Sequence, residues 1–283
     1  MTPGAARSIY GVDFSGAARA GDFIWIARLR PAARGRARLE SLDRLADLHG
    51  RPDRDSALAF LVEKIGGTED AVWGIDFPFG LPIEVMPGCE TWADQLAEVR
   101  RFEGQAVDFG RRCVESARAI GERLHIRRAT DSLARTPFDC YHYRIIYQTF
   151  HGMRDVLLPL RDDPGTAVLP FDYPRLADAR RVVLEACPGS TLRRWGTPHN
   201  RYKQPAGGRL TAARTQNRRA ILQHIESAVS ITEAQRREMM LDPGADALDA
   251  TVAALGTWEA WRSADHAAIA ADPRVAREGW VYA

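Results

Sequence analysis

A chain of 283 residues, 45% of them hydrophobic, is long enough for one large domain with a real core, with room for an insertion. Its 39 basic and 37 acidic residues leave a formal charge of +2, which excludes binding to nucleic acid by net charge alone and makes any basic surface local. No apolar run approaches the roughly 20 residues that cross a bilayer and no export pattern opens the chain, so no membrane association and a cytoplasmic location are expected. Cys89, Cys113, Cys140 and Cys187 are too widely spaced for a CxxC clamp and are expected as reduced thiols.

Residues 8 to 14, 22 to 30 and 36 to 42 alternate or run apolar between Gly and Pro, predicting three strands in an antiparallel meander. Asp55 or Ser56 is placed to cap a helix over 57 to 65, which Gly66-Gly67 ends. A strand then repeats the first one: Val72-Trp73-Gly74-Ile75-Asp76-Phe77 echoes Ile9-Tyr10-Gly11-Val12-Asp13-Phe14. Strand side chains alternate, so Gly11 and Asp13 share one face, as do Gly74 and Asp76. A helical crossover between matching strands predicts parallel pairing of these strands or their neighbours, with strands about 4.8 Å apart. Two aspartates brought side by side repel unless a cation or a shared proton lies between them.

After Pro82 the periodicity turns helical over about 90 to 126 and again over 141 to 158, predicting a helical insertion over 88 to 178 within a single domain spanning 1 to 283. It carries Arg111, Arg112, Arg118, Arg123, Arg127 and Arg128 and then Phe138, Tyr141, His142, Tyr143, Tyr147 and Phe150. Arginine binds phosphate and aromatic rings stack on bases, making Arg127 and Arg128 candidate substrate contacts. The alternative is a helix core with arginines on solvated faces.

A strand over 180 to 186 again ends in an acid, Glu185. Residues 211 to 228 read as an amphipathic helix with Ile221, Leu222 and Ile225 inward and Arg214, Arg218 and Arg219 outward. Asp242 is expected to cap the last major helix with Pro243 at its first position, leaving Asp246 and Asp249 on one face and a buried stripe of Leu248, Val252 and Leu255. Residues 279 to 282 read as an edge segment.

Asp13, Asp76, Glu185, Asp246 and Asp249 thus stand at the ends or starts of regular elements. Hard divalent cations take oxygen ligands, and carboxylates holding Mg2+ or Mn2+ against a substrate phosphate are the chemistry of phosphodiester hydrolysis. Lys203, one of two lysines, and Arg218 are candidate phosphate contacts near the acids. Ser15 sits in neither a nucleophile elbow nor a phosphate loop, and the histidines lack metal-ligand spacing.

The motifs Tyr10-Gly11-Val12-Asp13-Phe14-Ser15-Gly16, Gly74-Ile75-Asp76-Phe77-Pro78-Phe79-Gly80-Leu81-Pro82 and Glu185-Ala186-Cys187-Pro188, then Tyr202-Lys203 with Arg218 and Asp246-Ala247-Leu248-Asp249-Ala250, carry a resemblance. Over most of its length the chain resembles a bacterial and archaeal domain family of unknown function described as predicted nucleases with a ribonuclease H-like fold. The resemblance implies an α/β architecture: a mixed five-stranded sheet, its first three strands antiparallel, flanked by helices. It implies that Asp13 bridges metal ions, that Asp76 and Asp249 complete the cluster, and that Glu185 or Asp246 adds a ligand or orients one. Ser15, Lys203 and Arg218 fall within these motifs as substrate-binding candidates, and nucleic acid is the expected partner. The same scaffold carries actin-like and sugar-kinase phosphotransferases, which need glycine-rich loops for ATP that the pair Gly207-Gly208 poorly supplies. A noncatalytic nucleic-acid-binding module is the third reading.

Overall fold

A computed structural model describes residues 6–204 and 208–283. Strands β1 (Ser8–Asp13), β2 (Trp25–Pro31) and β3 (Ala37–Arg44) form the antiparallel meander. A crossover helix, Arg54–Gly66, leads to β4 (Ala71–Ile75), which pairs with β1 in parallel and sets Gly11 opposite Gly74. Asp53, rather than Asp55 or Ser56, caps that helix by accepting the Ser56 N–H at 3.1 Å.

The sheet has seven strands rather than the expected five. Strand β5 (Thr166–Val168) and β6 (Arg181–Glu185) extend it beyond β4, and β7 (Val229–Ser230) lies beyond β3, giving the order β5-β6-β4-β1-β2-β3-β7. Segments of three and two residues are too short for alternation to show. Only β2 runs against the rest. The insertion is therefore not wholly helical, because its end supplies β5. Its first half is two helices, Trp92–Arg101 and Ala106–Ile120, broken between them, and a second helical stretch, Ile146–Asp162, widens over Gly152–Leu157.

One face of the sheet carries Tyr10, Val12, Trp73 and Ile75 against insertion residues such as Phe109, Phe150 and Met153. The register places Tyr10 beside Trp73, and their rings stack at 3.8 Å. The other face carries Ile9, Val72, Val182 and Leu184 beneath a long helix, Asp246–Ser263. That helix is buried nearly all round rather than along one stripe, since the helix Pro188–Arg194 also packs on it, Thr191 against Gly256. A Cβ at Gly11 would overlap the backbone of Ala250 and Ala254, and one at Gly74 would overlap Thr257. The repeated glycines let the helix lie directly on the two central strands.

Asp242 and Pro243 do not start the long helix. Ala245, with φ of 65°, is its N-cap, and Asp242 accepts the Ala247 N–H at 3.1 Å from outside it. Residues 279 to 282 do run along the sheet, Val281 bridging to Glu185 beyond the end of β5. No helix among the described residues is long and apolar enough to cross a membrane.

Candidate functional site

Asp13 ends β1 and Asp76 follows β4, its N–H bonded to the Val12 carbonyl at 3.0 Å. Both are two residues beyond a glycine on the face covered by the long helix, whose first turn supplies Asp246 and Asp249. All four aspartates line one cavity of about 860 Å³. It opens at the carboxyl ends of parallel strands, where open α/β sheets bind ligands.

The four carboxylates are close enough to repel one another. Burial, and then the charge of Asp246, Asp249 and Asp76, outweighs Lys203 and holds the Asp13 carboxyl well above its ordinary range. Burial and Asp249 push Asp76 up to about 7 against the pull of Lys203. Burial and Asp242 likewise push Asp246 up to about 7. The side chains of Asp13, Asp76 and Asp246 have no hydrogen-bond donor or ion-pair partner among the described residues.

Asp249 differs, being 1% exposed and fully engaged. The Tyr202 hydroxyl donates to it at 3.0 Å, and the half-exposed Lys203 Nζ pairs with it. Burial first, then the neighbouring charge of Asp249, raises the Tyr202 pKa, so the phenol keeps the proton it donates. Burial opposes the charge on Lys203, but Asp249, Tyr202 and Asp13 outweigh it and raise its pKa.

Arg218 is not on the outward face of its helix, Ala212–Ala228, but fully buried. Its guanidinium donates to the carbonyls of Tyr202 (2.7 Å), Met239 (3.1 Å), Met240 (3.2 Å), Asp242 (2.5 Å) and Pro243 (3.0 Å). It therefore ties the Tyr202-Lys203 segment to the chain entering the long helix and, fully buried and absent from the cavity lining, is not placed to meet a phosphate. Ser15 lines the cavity, its Oγ accepting the Ala17 N–H at 3.3 Å.

Glu185 lies one residue out of step with the aspartates. The register pairs Gly74 with Leu184 and Ile75 with Glu185, which turns Glu185 toward the face carrying Ile75. There both carboxylate oxygens are taken: Arg128 Nη1 donates to Oε2 at 2.7 Å, Nη2 pairs with Oε1, and the Phe79 N–H donates to Oε2 at 2.9 Å. Arg128, read from sequence as a substrate contact, is fully buried between Glu185 and Asp131. Arg127 is exposed, away from the cavity lining, and donates to the Thr136 carbonyl at 2.8 Å. Arg127 is not placed to hold a substrate; Arg128 and Glu185 do line the cavity, but each is engaged by the other, and Glu185 also holds the loop after β4 through the Phe79 N–H.

Besides Arg128, four arginines that the sequence does not mark as site residues line the cavity: Arg144, Arg193, Arg201 and Arg214. None of these four pairs with a carboxylate among the described residues. Arg144 Nε donates to the Tyr143 hydroxyl at 3.1 Å, Arg214 Nε donates to the Lys203 carbonyl at 2.7 Å, and Arg193 donates to the Arg135 carbonyl. No spacing rule marks them, because they come from four separate stretches of chain that only the tertiary fold gathers.

The aspartates are all hard oxygen donors with unbalanced charge, which suits Mg2+ or Mn2+ in kind. Among the described residues, however, no three His, Cys, Asp or Glu side chains stand close enough to hold one ion. The residues thus fit an ion held by one or two carboxylates with water and phosphate completing its shell, as is ordinary for magnesium, and do not form a closed protein cage.

The molecule is an α/β protein whose acids gather where parallel strands end beneath a helix N-terminus. Residues 169–274 match the model of a family described as Protein of unknown function (DUF429). That segment includes β6, Lys203, Arg218, Asp246 and Asp249, while Asp13 and Asp76 precede it. No curated protein and no solved structure matches the chain.

Proposed function

We propose that the protein is a metal-dependent phosphodiesterase acting on nucleic acid, built on a ribonuclease H-like sheet. The observation that carries this reading is one cavity holding two uncompensated charges: aspartates without partners and arginines without carboxylates. A ligand satisfies both when it brings anionic phosphates to the arginines and a cation to the acids. The sheet order β3-β2-β1-β4-β6 with only β2 reversed supports the fold assignment.

In this reading one or two of Asp13, Asp76 and Asp246 hold the ion, with Asp249 available once Lys203 releases it. Bound Mg2+ or Mn2+ would polarise a phosphodiester and supply a hydroxide-like water. Arg144, Arg193, Arg201 and Arg214 bind and orient the phosphates. Tyr202 orients Asp249 through its hydroxyl, and Arg218 positions Tyr202 through its carbonyl.

The test is cleavage of a panel of DNA and RNA, single- and double-stranded, by purified protein with Mg2+ or Mn2+ and with chelator. Cleavage is expected only with metal and without ATP, and Asp13→Asn is expected to abolish it while keeping a cooperative thermal transition. Equal cleavage by the variant would overturn the assignment. A requirement for ATP would favour a phosphotransferase instead, for which the sequence offers only Gly207-Gly208, and Gly207 lies outside the described residues. A noncatalytic module resting on the insertion loses support from the burial of Arg128, Tyr141 and Phe150.

A further inference from the structure

The cavity decides how much of a nucleic acid reaches the acids. Asp249 is 1% exposed and Asp13 8%, so both are recessed. A volume of about 860 Å³ is in the range that encloses a small molecule and is suited to one or two nucleotides. A double helix meets a protein with a stiff convex surface and its bases stacked out of reach, whereas an unpaired strand can bend inward and present its bases.

The lining also offers a ring for such a base. Phe23 is 49% exposed and makes no ring contact among the described residues. Its backbone is fixed, the Phe23 N–H donating to Ala20 at 3.0 Å and the Ile24 N–H to the same carbonyl at 2.9 Å. Of the other phenylalanines in the lining, Phe14 and Phe77 are buried, and Phe138 is already stacked on His142 at 4.6 Å with Arg144 over its face. An open aromatic face in a cavity lined with unpaired arginines is the arrangement that binds single strands without reading their sequence.

We infer that this cavity receives a single-stranded stretch of nucleic acid rather than a duplex, a base stacking on Phe23 and the phosphates meeting Arg144, Arg193, Arg201 and Arg214; this rests on the phosphodiesterase reading above. The test titrates a labelled 12-nucleotide strand, and the blunt duplex of the same sequence, with Asp13→Asn protein in magnesium, reading fluorescence anisotropy. The single strand binds at least tenfold more tightly. Adding Phe23→Ala weakens strand binding by roughly 5- to 160-fold, the range for losing one stacked base. Arg201→Ala lowers the salt slope by about one. Equal or tighter duplex binding, or unchanged strand binding by Phe23→Ala, overturns the inference. Hydrolysis of bis(p-nitrophenyl) phosphate by the unsubstituted protein separates the two readings. Hydrolysis without a strand preference removes the inference alone, and a strand preference without metal-dependent hydrolysis of any ester supports the inference and removes the chemistry.

Discussion

Gly11 and Gly74 face each other across β1 and β4, and the long helix rests on both. Because the obstacle at Gly11 is the backbone of Ala250 and Ala254, no rotamer change can make room for a methyl group there. Gly11→Ala is expected to lower stability by about 3 kcal/mol or more, at or beyond the upper end for overpacking. Gly66→Ala, at a helix end with open space around it, is the control and is expected to change stability by no more than about 1 kcal/mol. Urea unfolding of both variants checks the pair, and equal midpoints would refute the close approach.

Arg218→Met strips a hydrogen bond from each of five carbonyls, of which Asp242 and Pro243 keep a backbone donor, and is expected to cost about 2 to 4 kcal/mol, since buried acceptors that lose a donor keep their desolvation penalty. Were Arg218 a phosphate contact on a solvated helix face, the variant would melt normally and lose only affinity.

Arg128→Ala abandons the buried charges of Glu185 and Asp131, and breaking such a network by removing one partner costs roughly 3 to 5 kcal/mol. Arg127→Ala removes an exposed side chain and is expected to cost about 0.5 kcal/mol or less. Calorimetry that finds the two alike would show that Arg128 is not the internal clamp described.

Asp76 sets a pH dependence with a defined sign. Its carboxyl titrates near 3.8 when free and about 7 in the fold, so between these values the native state binds more protons than the unfolded chain. Stability contributed by the neutral form is complete below about pH 4 and is lost as pH rises through 7. The Asp76→Asn protein lacks this loss. Its stability minus that of the unsubstituted protein should therefore be flat below pH 4 and climb by on the order of a few kcal/mol by pH 8 in chelator. Added Mg2+ should reduce the gap by stabilising the ionised aspartate. A difference curve that falls with pH would contradict the electrostatics described here.

How much of this was readable beforehand depended on whether a residue's role lay in its own strand. The Gly-x-Asp repeat declared a shared face, because alternation over six residues is a strong local signal, and the helical crossover between its two copies implied parallel pairing of these strands or their neighbours. Glu185 looked equivalent, yet its face depends on which residue of β4 it meets, and that register is fixed by packing at a distance. Arg218 and Arg128 carry the composition of a solvated or phosphate-binding surface. Their burial follows from carbonyls and carboxylates contributed by residues far away in the chain. Strands β5 and β7 had too few residues to show a period, and Arg144, Arg193, Arg201 and Arg214 come together only when the fold closes.

The placement of the acids also bears on how the chain matures. Asp13 leaves the ribosome well before Asp249, and the helix carrying Asp249 covers the central strands. During synthesis the first two aspartates exist without Asp249, Lys203 or Arg218. Prematurely terminated products lacking that helix would expose the apolar sheet face beneath it and carry an incomplete cluster, which makes them prone to aggregation and to clearance by quality control.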